Sequence, residues 1–211
     1  MTAQISDRVI YNDTTFCVAG VNGQGLFNPA DHGMTPVFFS SACWRGFHCT
    51  YAVADSTLRL REVYLGLSDK DRESAKHGKG PLLFGKVPAQ YTVHGEGHNL
   101  RTRETTSEWM STDYRCDNLN QLIEFTGGIL IGHDFICEMY VHMGFHTAYK
   151  YRDVHELVFE SGRLTNANDC TAKMAEFREM LADRELQPEP RTNREKLMKW
   201  IDQCFSLDYK M

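Results

Sequence analysis

Several features are scarce in this 211-residue chain, and each scarcity excludes a class of protein. Six prolines and an 11% share of aromatic residues leave no proline-rich or collagen-like stretch. No apolar run approaches the ~18 residues that span a bilayer as a helix. The longest, residues 127–132, has the length of a strand. The first fifteen residues, MTAQISDRVIYNDTT, contain no basic region followed by an apolar stretch, so no secretory signal is expected. The seven cysteines form an odd set without a CxxC pair. Reduced thiols in the cytoplasm fit this set better than a disulfide framework or a zinc ribbon. Positive charge is in deficit, with 23 basic against 28 acidic residues and a net charge of −5. That balance argues against duplex DNA or an anionic membrane surface as partner. There is no Gly-x-Ser-x-Gly elbow, no Gly-x-x-x-x-Gly-Lys-Ser/Thr loop and no Gly-x-Gly-x-x-Gly fingerprint, so no cofactor is expected.

What is present is an ordinary globular composition, 42% hydrophobic and 24% charged, long enough to bury a core without staples. We expect one domain over residues 1–211. From Arg8 to about Leu67, runs such as Thr15–Ala19 and Pro36–Phe39 alternate with Gly, Asn and Asp clusters, which is strand-and-turn chemistry. Residues 68–108 are largely polar and read as a mobile segment with at most a short exposed helical turn. Leu119, Leu122 and Ile123 suit a short helix over 117–125, with the end of a strand as the alternative. Met174, Phe177 and Leu181 mark an amphipathic helix over about 169–185, capped by Asn168 or Asp169. Leu197, Ile201, Cys204 and Phe205 mark a second helix over about 193–206.

The chain also repeats itself. Residues 46–55, GFHCTYAVAD, match residues 144–153, GFHTAYKYRD, at five of ten positions without a gap. Each copy is followed by a further apolar alternation, so the expected fold is α+β. Two related β-hairpin units, around 43–65 and 137–160, share a mixed or antiparallel sheet, with helices at the C-terminal end. Strand parity then puts Cys43, Phe47, Cys49, Tyr51 and Val53 on a core face. In the second copy it puts Cys137, Met139, Val141, Met143, Phe145, Thr147 and Tyr149 there. His48 and His146 point away from that core. On a strand His142 and His146 stand about 13 Å apart at ~3.3 Å per residue, too far to chelate one ion, so no metal site is expected.

A strand-borne His-apolar-Thr-apolar unit, here His48-Cys49-Thr50-Tyr51, with a second related unit in a β-rich chain, resembles the two-histidine phosphoesterases. The resemblance implies one imidazole as general base and the other as general acid across a phosphodiester, with hydroxyls on the phosphate oxygens. The second unit reads His146-Thr147-Ala148-Tyr149, which moves its hydroxyl to the other face of the strand. The candidate catalytic residues on this reading are His48, Thr50 and His146.

Charge is uneven along the chain. Residues 113–160 hold three basic and eight acidic side chains, whereas residues 59–103 hold nine basic and five acidic ones. The leading functional expectation is therefore a non-catalytic cytoplasmic binding protein of the inhibitor or scaffold kind. Its acidic second half, with Asp134, Glu138 and Glu156 as contact residues, docks on another protein with a basic surface.

Overall fold

The computed structural model describes residues 2–98, 105–182 and 207–209. Its strands are β1 (Arg8–Tyr11), β2 (Thr14–Gln24), β3 (Phe47–Ala54), β4 (Thr57–Leu65), β5 (Thr92–His98), β6 (Thr105–Met110), β7 (Tyr114–Cys116), β8 (Gln121–Leu122), β9 (Thr126–Phe135), β10 (Tyr151–Glu160) and β11 (Arg163–Asp169). Its helices are α1 (Asp69–Lys76) and α2 (Thr171–Ala182). The chain is α+β with a mostly sheet core, and it folds as two compact units interleaved in sequence. The first comprises Met1–Phe27, Cys49–Arg61 and Asn120–Met211; the second comprises Asn28–His48 and Glu62–Leu119.

In the first unit, two-residue turns set three hairpins. Asn12 and Asp13 (φ 47° and 60°), Asp55 and Ser56 (50° and 55°) and Ser161 and Gly162 (46° and 80°) are all left-handed. This is the type I′ pattern, whose twist matches that of the strands it joins. The sheet runs β11-β10-β9-β2-β1-β3-β4 and returns to β11, where Arg163 pairs with Thr57. Leu58 N–H donates to Gly162 O and Leu164 N–H to Ser56 O, each at 2.8 Å, and these bonds close the ring. β1 and β3 are parallel, while β1–β2, β2–β9, β9–β10 and β10–β11 are antiparallel, so the sheet is mixed. A barrel of this strand number has room inside for side chains rather than a channel. Val9, Val18, Tyr51, Leu58, Leu60, Phe125, Ile129, Ile131, Leu157 and Phe159 fill it, all almost fully buried.

The outer face of β2, β9 and β10 carries a second apolar cluster of Ala19, Leu130, Ala148, Tyr151, Val154 and Cys170. The Tyr151 ring lies where a Cβ on Gly132 would stand, so glycine is what lets it close on the sheet. Helix α2 starts where the Asp169 carboxylate accepts the Thr171 N–H at 2.9 Å, which also lowers the Asp169 pKa. It sets Met174 against this cluster. Arg178 Nη1 donates to the Tyr149 and Tyr151 carbonyls, both at 2.9 Å. The C-terminal residues reach the same face. Val21 N–H donates to Leu207 O at 2.6 Å, Asp208 pairs in parallel with Val21, and Tyr209 lies over Gly20 and Gly128.

In the second unit, β7 pairs with residues Val63–Leu65 of β4. Met34, Cys43, Val63, Leu65, Leu67, Leu83, Tyr114, Cys116 and Leu119 are buried there. Ser68 caps α1 through its Oγ, which accepts the Asp71 N–H at 3.2 Å. β5 and β6 form a separate two-stranded ribbon. The segment 68–108 thus holds α1, β5 and part of β6.

Several expectations change. The first hairpin exists as β3–β4, but no strand runs through 137–150. That stretch holds 3-10 turns at Cys137–Met139 and Ala148–Lys150 joined by loop. The second hairpin is β10–β11, turning at 161–162, so Asp153 lies within a strand and is no counterpart of the turn residue Asp55. Parity fails there with it: Cys137 and Val141 are exposed, and both Phe47 and Phe145 are only half-buried. The distance argument against a His142–His146 pair lapses for the same reason. Residues 117–125 form no helix, because Asn118 and Asn120 take left-handed φ and only Gln121–Leu122 pairs as a strand. On α2 the inward residues are Met174 and Arg178, while Phe177 is 43% exposed. The expected helix over 193–206 lies outside the described residues.

Candidate functional site

The sequence-derived candidates fall into different surroundings. His48 belongs to the second unit, where its ring stacks on Tyr64 at 4.5 Å between centroids and 11° between planes. Thr50 and His146 belong to the first. Thr50 is buried on β3. His146 sits in the loop before the 3-10 turn at 148–150, 4.6 Å from the Phe135 ring and 5.2 Å from the Tyr140 ring. Its Nδ1 is buried with no hydrogen-bond partner among the described residues. Burial, with the charge of Lys150, holds its pKa down to about 4, so the ring is neutral at physiological pH.

The three acids differ in their partners. Asp134 pairs with Arg152 at 3.2 Å. Glu156 is half-buried and accepts from Tyr209 OH at 2.8 Å and from Asn168 Nδ2 at 3.1 Å. Glu138 is exposed on the 3-10 turn at 137–139. Four of the cysteines, Cys43, Cys49, Cys116 and Cys170, are buried. Burial pushes the Cys116 thiol up to about 11, which keeps it protonated and inert.

The densest group of perturbed side chains is in the second unit. β4 and β7 point Val63, Leu65, Tyr114 and Cys116 into the core, and the alternate positions Tyr64 and Arg115 meet in register on the other face. Tyr64 OH donates to Glu62 Oε2 at 2.9 Å, and its ring meets Tyr91 edge-on at 5.7 Å. Tyr91 OH reaches both Asp113 carboxylate oxygens, at 3.2 and 3.1 Å, and the Arg115 guanidinium lies 4.9 Å over the Tyr91 ring. Burial raises Asp113, though its own backbone and Tyr91 lower it in part. Burial first, then the Asp113 charge and hydrogen bond, pushes the Tyr91 phenol far up. Tyr91 therefore stays a donor and holds Asp113.

This cluster braces one wall of a cleft. Ser111 N–H donates to Tyr91 O (2.9 Å), its Oγ accepts the Tyr91 N–H (3.1 Å) and donates to Asp113 O (2.7 Å), and its carbonyl accepts Gln90 Nε2 (2.8 Å). The cleft is about 570 Å³. Phe38, Phe39, Met110 and Tyr114 give it apolar walls, and Arg72, Gln90, Ser111 and Thr112 give it polar ones. Phe38 and Met110 are 60% and 56% exposed. Arg72, on α1, has a buried Nε with no hydrogen-bond partner among the described residues. Its Nη1 stands 3.8 Å from the carboxylate of Asp69, a side chain wholly in solvent. Sequence reasoning missed this cleft. Arg72 sits in a polar run, and no local spacing links it to Phe38 or Met110.

Among the described residues no group of three or more His, Cys, Asp or Glu side chains is disposed to hold a metal ion, and no helix is long and apolar enough to cross a membrane. No family model, no curated protein and no solved structure matches this chain.

Proposed function

We propose that this chain is a non-catalytic binding protein whose binding site is the cleft of the second unit. The observation that carries the reading is the pair Phe38 and Met110, large apolar side chains standing mostly in solvent on the walls of a 570 Å³ cleft with one braced wall. Volumes of roughly 300–1,000 Å³ with apolar walls and a few placed polar groups characterise small-ligand sites. A non-catalytic role is supported by the chemistry of the histidines. A general acid at neutral pH needs a protonated ring, and His146 is held neutral, while one face of His48 is covered by Tyr64. Glu156 is tied to Tyr209 and Asn168, and Asp134 to Arg152 in an exposed pair, which favours the cleft over the acids as the binding surface.

Native mass spectrometry of the purified chain tests this directly. A Phe38→Asp, Met110→Asp variant, both positions exposed, should keep its circular dichroism spectrum and lose the small molecules that the parent retains. If the variant holds the same molecules as the parent, or if neither holds any and both capture only a basic protein through Glu138, the cleft reading is wrong.

A further inference from the structure

We infer that the ligand of this cleft is a small monoanion, an apolar body carrying one carboxylate, anchored by Arg72; this deepens the cleft reading and rests on it. Arg72 is the only cationic side chain among the cleft's lining residues, and its sole ion-pair partner among the described residues is Asp69 at 3.8 Å, a carboxylate wholly in solvent. Long, exposed pairs of this kind hold an arginine loosely. Nε is shielded, so the fork offered to a ligand is the pair of terminal nitrogens, whose spacing matches the two oxygens of a carboxylate.

The other polar groups limit how much more the ligand carries. The Ser111 hydroxyl is spent on backbone partners within the wall and Gln90 commits one amide N–H to the Ser111 carbonyl, which leaves the exposed Thr112 hydroxyl and the rest of the exposed Gln90 amide open to a ligand. One guanidinium beside a carboxylate suits a single negative charge. A phosphate dianion would have one cation to meet and Asp69 to repel it. Phe38, Phe39 and Tyr114 on the walls favour an aromatic body.

The test uses the full chain and three probes of one shape: 4-phenylbutyrate, its primary amide, and 4-phenylbutanol, titrated calorimetrically. The acid should bind at least tenfold more tightly than the amide or the alcohol, and added salt should narrow the gap. Arg72→Gln should bring the three within twofold of one another. Asp69→Asn, at a fully exposed position that poses no folding risk, should tighten the acid alone. Equal affinity for acid and amide in the parent, or discrimination that survives Arg72→Gln, overturns the inference. If the probes bind equally and Phe38→Asp abolishes all three, the cleft reading stands and the carboxylate anchor falls. If none binds saturably at millimolar concentration, both fall.

Discussion

The Tyr209 hydroxyl donates to Glu156 Oε1 at 2.8 Å, joining the last described residue of the tail to the middle of β10. The ring reaches that position because Gly20 and Gly128 carry no Cβ where it lies. Tyr209→Phe keeps the ring and removes the bond, so it should cost about 1–2 kcal/mol in urea unfolding. Tyr209→Ala should cost more, since the groove empties as well. Burial, then Glu156, raises the phenol above its ordinary 10.0. A raised phenol contributes stability that is complete below pH 10 and declines as pH rises beyond it. The parent should therefore lose stability above pH 10 more steeply than Tyr209→Phe.

His146 has the opposite sign. Its pKa is held down to about 4 from 6.5, so its neutral form contributes stability above pH 6.5 that fades as pH falls toward 4. The urea midpoint of the parent should drop across that window, and His146→Leu should flatten the drop. An unchanged slope in the variant would show that the ring is not held in an apolar setting.

Glycine at 132 is required by packing. Gly132→Ala places a methyl against the Tyr151 ring and should cost about 1–3 kcal/mol. In the double variant with Tyr151→Ala the two losses should fall short of their sum, because the clash is relieved. Strict additivity in that cycle would mean the ring and the glycine are not in contact.

Core and repeat phenylalanines should differ. Phe159 is 1% exposed inside the barrel, so Phe159→Ala should cost about 3–5 kcal/mol. Phe145 is half-buried on a loop, and its truncation should cost less than about 2 kcal/mol. Equal losses at the two positions would restore Phe145 to a core.

These contrasts mark where the sequence was legible. β3 declares itself because Cys49 and Tyr51 alternate on a strand that has neighbours on both edges, and the Asp55–Ser56 turn ends it. Residues 137–149 alternate just as well, but period two means strand only if a neighbour supplies the ladder, and 3-10 turns form there instead. Arg178, nearly thirty residues on, binds the Tyr149 and Tyr151 carbonyls, a tertiary contact that no window around them contains. The shared Gly-Phe-His keeps a local likeness, with Gly46 and Gly144 both buried at φ 75° and 67° and both phenylalanines half-buried, but it does not make residues 137–150 a strand. The cleft was invisible for a related reason: its walls come from residues 38–39, 72, 90 and 110–114, and no window contains more than one wall.

Closure of the barrel at Thr57 and Arg163 also imposes an order of assembly. At synthesis rates of about 5–20 residues per second, β4 leaves the ribosome several seconds before the strand that seals it. Until then its edge near Thr57 has no partner from β11. The Leu58–Leu60 stretch of that edge is open until β8 and Ile123 cover it, and the edge at Thr57 until β11 does, and in that interval the edge is open to pairing with the wrong chain. Mispairing competes with closure in that interval, so the yield of folded protein should fall with rising expression rate.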